Sequence, residues 1–326
     1  MAKRIIVCAG IDTGKSKLDV ALDGSAEQLQ VENTAEGHKV LLEWLGRHKV
    51  KRVGIEASGG YEQPVVADLR RKRFVVVVFQ PAQVRAYAKF HLQRAKNDKI
   101  DAALIAACTA AVKKIHAAPD PRLLPFAEHL TMIDQIGEDI ARLKTRLETC
   151  RNPRFRELWK EDIARLSKRK GTELKALVAA IRRHADLAAR LDLIRSVSGA
   201  GLPTAVAILV RMPEIGQLSR EQAAALAGLA PYDDDSGDQV GLRHIEGGRE
   251  RLRRALYTAA LPASFRWNPQ LIALYKRLIA AGKEHKRALI ACARKLLIFI
   301  NTVVARGTPW QDKPLARALA ASQATA

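Results

Sequence analysis

The sequence predicts an α/β domain followed by a mostly α-helical remainder. Short apolar runs that alternate with polar residues, or that are rich in β-branched residues, predict strands near the amino terminus, and helical patterns lie between them. Prolines at positions 119, 121 and 125 then interrupt this alternation. From about residue 126 onward the apolar residues recur at helical spacing, which indicates helices packed on helices.

Each element of the α/β part follows from a local pattern. The predicted strands cover residues 4–11, 17–22, 28–33, 50–57 and 74–81. The predicted helices cover residues 34–48, 61–72 and 101–114, and Thr34 is the predicted N-cap of the first. Three successive strands, followed by strands that alternate with helices, predict a mixed sheet.

The helical remainder is divided by its charge. Between residues 142 and 183 there are fourteen Lys and Arg against five Asp and Glu, which predicts a charged helical hairpin or coiled coil with a turn at Asn152-Pro153. Its surface is either a solvated face or an arm for nucleic acid or oligomerisation. The turn "SGAG" (198–201) predicts a helix-hairpin-helix-like element whose amides can meet phosphates. The expected domains are 1–118, 119–190 as a basic helical linker, and 191–326.

The charge balance and the cysteines limit the classes of protein that this chain can belong to. The formal net charge of +21 favours a polyanionic partner, with nucleic acid ahead of an anionic membrane surface. No apolar run approaches the roughly 20 residues of a spanning helix, so we expect no membrane insertion. The four cysteines form no C-x-x-C pair, and the amino terminus is typical of a strand rather than a signal peptide. We expect a cytoplasmic, nucleoid-associated protein.

Four carboxylates of the α/β part form a candidate metal site. Asp12 follows one predicted strand and Glu56 follows "RVGI" on a second, while Asp98 and Asp101 are three residues apart and share a helical face. One such acid alone is more often a turn or cap residue. Four in this order, in so basic a chain, predict a site for a divalent ion such as Mg²⁺, with Mn²⁺ as the alternative. Nearby cations would offset carboxylate repulsion and attract phosphate; these are Lys15, Lys96 and Lys99.

The stretch "APYDDDSGDQVGLRHIEGGR" (230–249) places four aspartates around Ser236. One interpretation is an acidic turn around an ordinary Ser-Gly dipeptide. The other is a nucleophilic serine beside Asp235, which could accept its proton. The arginines that could hold flanking phosphates are Arg243, Arg249, Arg253 and Arg254.

Four ordered blocks resemble the DEDD transposases of insertion sequences. Three are "GIDTGKSKLDVAL", "IEASGGYEQPVV" and "RAKNDKIDAALIA", and the fourth is "LAPYDDDSGDQVGLRHIEGGRERLRRALYTAAL". The resemblance runs from about residue 5 to residue 300. It implies a RuvC-like, RNase H-fold amino-terminal domain and a carboxy-terminal transposase domain.

The resemblance also implies a reaction. The four acids would bind Mg²⁺, and Ser236 would attack a DNA phosphate to leave a 5′-phosphoserine link and a free 3′ hydroxyl. A structured guide RNA would pair with donor and target DNA, and a dimer or tetramer is expected. Two departures from the family pattern stand out: Asn97 replaces a threonine, and Asp233 and Asp234 stand where a basic or neutral residue is common.

Two other functions remain open from the sequence. A metal-dependent Holliday-junction resolvase or RNase-H-like nuclease would need the four acids but would use water in place of Ser236. A non-enzymatic nucleic-acid-binding protein would need neither.

Overall fold

The computed structural model describes residues 6–92, 98–113, 115, 120–232 and 244–311. The chain divides into two compact units, Met1–Ala118 and Pro119–Ala326. The first unit is a mixed α/β domain and the second is almost entirely helical. The second unit contains both the residues of the predicted helical linker, 119–190, and the carboxy-terminal helices.

The first unit is built on a five-stranded mixed sheet with the order β3-β2-β1-β4-β5. Its strands are β1 Cys8–Thr13, β2 Lys17–Leu22, β3 Gln28–Glu32, β4 Arg52–Glu56 and β5 Val75–Phe79. Its helices are α1 Ala35–Arg47, α2 Gln63–Arg71, α3 Pro81–Phe90 and α4 Asp98–Ala111. Strands β1, β2 and β3 pair antiparallel, whereas β4 pairs parallel with both β1 and β5.

The two faces of this sheet are covered in different ways. One face buries apolar side chains such as Ile11 and Ile55 against α1 and α2. On the other face α4 lies directly on the strands, because two positions carry no side chain. A Cβ at Gly10 would overlap the α4 backbone at Ala102, and one at Gly54 would overlap Thr109 Oγ1. Glycine at these positions allows the close approach of helix and sheet.

The second unit begins with two long helices, α5 Leu123–Thr149 and α6 Pro153–Arg182, which pack on each other. The change of direction falls at the predicted turn, where Asn152 Oδ1 accepts from the backbone N–H of Arg154 at 3.0 Å and caps α6. The base of this hairpin shares its core with the helices that follow, through side chains such as Leu130 and Leu177.

The rest of the second unit consists of short helices and one small ribbon. The helices are α7 Ala185–Ser196, α8 Leu202–Arg211, α9 Arg220–Leu226, α10 Glu250–Pro262, α11 Pro269–Ala280 and α12 His285–Arg306. A π-helical turn, Ala263–Trp267, joins α10 to α11. The ribbon pairs β6 Pro231–Tyr232 antiparallel with β7 His244–Ile245.

Several local predictions can be compared with these elements. Thr34 caps α1 as predicted, since its Oγ1 accepts from the N–H of Gly37 at 3.2 Å. Helix α4 begins at Asp98, three residues before the predicted start, so Asp98 and Asp101 do share its first turn. Helix α3 was not predicted from the sequence.

One helix of the second unit is more apolar over its length than the sequence analysis indicated. By length and composition, α12 is apolar enough to cross a membrane, although its sequence contains scattered charges. In the structure 56% of that stretch is buried inside the protein, as is usual for a core helix. The apolar character of α12 is therefore accounted for by side chains such as Leu296 and Ile300, which pack in the core of the second unit.

Candidate active site

Asp12 and Glu56 lie side by side at one edge of the sheet. Strands β1 and β4 are parallel, and Ile11 is directly opposite Ile55. The next residues, Asp12 and Glu56, therefore both point to the opposite face, which is the face covered by α4. Both are half-buried and both make interactions in the folded chain. Two carboxylates thus converge at the carboxyl ends of neighbouring strands.

The start of α4 lies at the same edge. Arg52, at the beginning of β4, donates from Nη1 to the carbonyls of Thr109 and Val112 at 3.1 Å each, which places the end of α4 over the beginning of the strand. The helix therefore runs antiparallel to β1 and β4. Its first turn, with Asp98 and Asp101, lies towards the carboxyl ends of the strands that carry the other two acids.

A further acid, Asp19, belongs to this face and was not identified from the sequence. It is directly opposite Asp12 in the antiparallel pairing of β1 with β2, so the two side chains share a face. Asp19 is only 5% exposed. Its Oδ1 accepts from Gln30 Nε2 at 2.6 Å, and its Oδ2 lies 3.3 Å from Lys17 Nζ. The alternation of "KLDVAL" places Lys17 and Asp19 on one face of their strand. It does not indicate which neighbouring strand, or which of its residues, they would contact.

Asn33 ties together the two loops that follow the acid-bearing strands. Its Nδ2 donates to the carbonyl of Gly14 at 3.0 Å, just after Asp12, and to that of Tyr61 at 3.1 Å. Its Oδ1 lies 2.9 Å from Nε2 of the buried His38. This single side chain therefore links the chain that leaves β1 to the chain that follows β4.

Glu62 orders the second of these loops. Its buried carboxylate accepts from the backbone N–H groups of Ser58 at 3.0 Å and Gly60 at 2.9 Å. Gly60 has φ of 113°, a left-handed conformation that other residues rarely adopt. The block "IEASGGYE" is thus a structured turn that begins at Glu56, and Glu62 stabilises it without being one of the four acids.

The described carboxylates can be tested as ligands for a divalent ion. Mg²⁺ and Mn²⁺ prefer oxygen ligands, and all four predicted acids would supply carboxylate oxygens, so their chemistry fits such an ion. Among the side chains that the structure describes, however, no three His, Cys, Asp or Glu are grouped closely enough to hold an ion. The side chain of Asp98 is outside that description. The three described acids of the set therefore share one edge of the sheet without forming a closed ligand shell.

The serine block is anchored by the small ribbon. Tyr232 pairs with His244, and these two residues flank the segment that contains Ser236, which lies outside the described residues. Next to the ribbon is an open depression of about 270 Å³ lined by Tyr232, Glu246, Gly247 and Gly248. The ends of the serine-bearing segment are thus brought together beside a concave surface.

Three predicted phosphate-binding arginines make contacts within the second unit. Arg249 donates to both carboxylate oxygens of Glu214, at 2.8 and 2.6 Å, and to the carbonyl of Arg211 at 2.7 Å. Arg253 Nη1 donates to the carbonyl of Gly247 at 2.6 Å. These bonds give Arg249 and Arg253 a structural role that the sequence did not indicate.

Arg254 is the third of these arginines. It donates to Glu138 at 2.9 Å and to Glu250 at 3.1 Å. The hydrogen bond to Glu138, and then that to Glu250, raises the pKa of the Arg254 guanidinium above its ordinary value. Its side chain remains about half exposed, so it can still meet a phosphate at the surface.

Comparison with known proteins assigns the family. A family model of DEDD transposases of the IS110 type matches residues 9–152. A second model, for transposases of the IS116/IS110/IS902 family, matches residues 191–276. Together they cover more than half of the chain, and the first of them includes all four predicted acids.

The chain belongs to the IS110 family of transposases. It is therefore an enzyme, a DNA transposase or recombinase.

Relatives agree with this assignment. The transposase is 25% identical to the "Pilin gene-inverting protein" of Moraxella bovis over 93% of this chain and 97% of that protein. It is 30% identical to an uncharacterised 43.6 kDa protein of insertion element IS110 from Streptomyces coelicolor, over 37% of this chain and 30% of that protein.

One solved structure is similar to the transposase over part of its length. The RuvC structure of Thermus thermophilus matches 35% of this chain and 84% of that chain at 21% identity. The TM-score of this match is 0.24.

Apart from the three arginines described above, the predicted site residues of the transposase fall into three groups. Asp12, Glu56 and Asp101 come to one edge of the sheet, and Lys15 lies exposed in the turn after β1. For Asp98 and Lys99 the structure gives the backbone only. The predicted residues outside the described part of the chain are Lys96, Ser236 and Arg243.

Two neighbouring glycines after the ribbon provide a matched test of the close backbone contact with Gly228. Gly247 and Gly248 both have positive φ, 63° and 69°, but only a Cβ at Gly248 would overlap the backbone of Gly228. We expect Gly247→Ala to cost roughly 1 kcal/mol, from backbone strain alone. Gly248→Ala should cost about 2–4 kcal/mol, because the chain at Gly228 must also move. Urea unfolding of both variants measures this difference; equal losses would contradict the close contact.

Proposed function

We propose that this transposase cuts and rejoins DNA with Ser236 as nucleophile and a divalent ion, Mg²⁺ or Mn²⁺, held by Asp12, Glu56, Asp98 and Asp101. The observation that carries the proposal is the convergence of Asp12, Glu56 and the start of α4 at one edge of the sheet. A bound ion would supply positive charge for a DNA phosphate there. The mixed sheet, antiparallel through β1–β3 and parallel through β4 and β5, supports a RuvC-like, RNase H-type fold for the first unit.

The residues of the chain would act as follows. Ser236 Oγ loses its proton and forms a bond to a DNA phosphorus, while the bond from phosphorus to the 3′ oxygen breaks. The 3′ oxygen takes up a proton and leaves as a hydroxyl, and the 5′ phosphate stays on the serine. Attack by a 3′ hydroxyl on the phosphoserine reverses these steps and joins a new strand. Asp235 is the proposed acceptor of the serine proton.

The partners in this proposal are donor DNA, target DNA and a structured guide RNA. Support comes from the net charge of +21 and from α6, which carries nine Lys and Arg against four Asp and Glu. The guide RNA rests on the sequence resemblance alone. Exchange between two duplexes needs more than one nucleophile, which supports a dimer or tetramer. We further propose a nucleoid-associated protein of the cytoplasm.

A covalent adduct tests the proposal. The protein is incubated with Mg²⁺, RNA transcribed from the flanking element DNA, and end-labelled donor and target duplexes, and is then run on a denaturing protein gel. We expect a labelled adduct that disappears in Ser236→Ala and with a chelator present. Ser167→Ala, an exposed serine on α6, is the matched control and should leave the adduct unchanged.

Other outcomes assign the chain to another mechanism. Cleavage without an adduct in the wild-type protein would transfer the role of nucleophile to water and favour a metal-dependent nuclease. An adduct that persists in Ser236→Ala would place the nucleophile elsewhere. Binding without cleavage under all these conditions would contradict both chemical mechanisms.

A further inference from the structure

An exposed aromatic cluster in the second unit has no role in the chemistry proposed above. Phe265, in the π-helical turn, meets the ring of Tyr275 edge-on with centroids 4.8 Å apart, and is near-parallel to His285 with centroids 6.4 Å apart. Tyr275 Oη lies 2.7 Å from His285 Nδ1, which fixes these two rings to each other. Phe265 is nevertheless 48% exposed, and Trp267 in the same turn is 58% exposed.

The turn that carries these rings has a rigid support. The buried Asn268 donates from its backbone N–H to the carbonyl of Ala263 at 3.0 Å, and from Nδ2 to the carbonyl of Ser198 at 2.9 Å. A Cβ at Gly199 would overlap Ala263. The π-helical turn therefore packs directly on the "SGAG" turn. Single π-helical turns are frequent at functional sites.

The charge around the cluster selects the kind of partner. Between residues 262 and 287 the single acid is Glu284, which is paired with Arg287 at 3.3 Å. The cations of this segment are all exposed; they are Arg266, Lys276, Arg277, Lys283, Lys286 and Arg287. A second copy presenting the same patch would set these cations against their equivalents. A polyanion is the complementary partner.

We propose that Phe265 and Trp267 stack on unpaired bases of single-stranded DNA, with the surrounding cations on its phosphates. Paired bases hide their faces inside the duplex, so exposed rings of this kind can stack only where pairing is lost. DNA is the partner that the family assignment provides, and exchange of strands between duplexes requires local unpairing. The inference rests on DNA as substrate, but not on Ser236 or on a metal ion.

Fluorescence anisotropy with a short labelled single strand of mixed sequence tests this inference on the full chain. We expect Phe265→Ala and Trp267→Ala each to weaken binding about tenfold, as is typical for the loss of one stacking ring. The matched control is Phe155→Ala, since Phe155 is 49% exposed on α6, away from this cluster in the chain. It should bind within about twofold of the wild type.

Two further measurements separate base stacking from general apolar or electrostatic attraction. Binding of the same sequence as a duplex should change by less than about twofold in both variants. Phe265→Leu keeps an apolar side chain but no ring, so it should bind as weakly as Phe265→Ala. These assays measure binding and require no strand cleavage, so a failure of the serine mechanism would not affect their result.

Several results would overturn the inference. Single-strand binding could be unchanged in both ring variants. The variants could lose as much affinity for duplex DNA as for single strands. Phe265→Leu could bind single strands as tightly as the wild type. A loss confined to an RNA strand of the same sequence would assign the cluster to RNA instead. Conversion of an oligomer to a smaller species by Trp267→Ala, seen by sedimentation, would assign the surface to a second copy.

Discussion

Replacing Asp12 by asparagine is expected to abolish strand transfer and to leave DNA binding within about twofold of the wild type. Asparagine keeps the shape of the side chain but removes the charge that a divalent ion requires. Because metal ions contribute several kcal/mol to the stabilisation of transferring phosphates, the loss should be at least about a thousandfold. The measurement is strand transfer between labelled duplexes in the presence of Mg²⁺.

Asp23 offers a matched control in the same unit. It is exposed in the turn between β2 and β3, and its N–H donates to the carbonyl of Cys8 at the beginning of β1, the opposite end of that strand from Asp12, so Asp23→Asn should retain activity. Calorimetric titration with Mn²⁺ adds a readout that does not depend on catalysis, and it should show weaker binding by Asp12→Asn only. An Asp12→Asn protein that still joins strands would remove Asp12 from the site.

The separate effects of Asp12→Asn and Ser236→Ala also distinguish the three functions that the sequence leaves open. A transposase with serine chemistry loses strand transfer in both variants. A nuclease that uses water loses cleavage only in Asp12→Asn. A protein that only binds nucleic acid is affected by neither.

Placing a methyl group at Gly10 is expected to destabilise the first unit strongly. The new Cβ of Gly10→Ala would overlap backbone atoms of α4 at Ala102 and Ala106, which cannot rotate away as a side chain could. The helix would have to shift as a whole, at a cost of about 2–3 kcal/mol. For a unit of this size the melting temperature should fall by roughly 10–20 °C.

Gly46→Ala is the matched control, since Gly46 lies in α1 and no atom from outside its own stretch of helix is within 4 Å of the position that a methyl group would occupy. Alanine is the better helix former, so this variant should keep or slightly raise the stability of the unit. Amide exchange of peptides from α4 reports on the first unit alone. Unchanged protection of α4 in Gly10→Ala would contradict the direct contact between helix and sheet.

Gly10→Ala also tests whether the packing of α4 on the sheet positions the acids of the candidate metal site. Asp98 and Asp101 stand in the first turn of α4, and the helix is positioned over the sheet by the two glycines beneath it. A shift of α4 moves both acids relative to Asp12. Gly10→Ala should therefore lower strand transfer even at temperatures where the unit remains folded.

Local sequence patterns were sufficient for the strands of the sheet and for most helices of the first unit, although not for α3, and for most of the candidate acids. Asp12 and Glu56 both lie on strands, β1 and β4, and Asp98 and Asp101 do fall in one helical turn. Alternation and helical spacing report on the nearest few residues, which is why they predict such elements. The resemblance of four ordered blocks then indicated the family, which the comparisons confirmed.

Only the tertiary structure decided which side chains meet. Asp19 is buried opposite Asp12 because β1 and β2 pair in one particular register, and Asn33 reaches two loops that are far apart in the chain. Arg249 was predicted to hold phosphate, yet its guanidinium is bound to Glu214, 35 residues earlier. Strand register and long-range partners depend on how distant segments pack, and periodicity within a single segment carries no information about either.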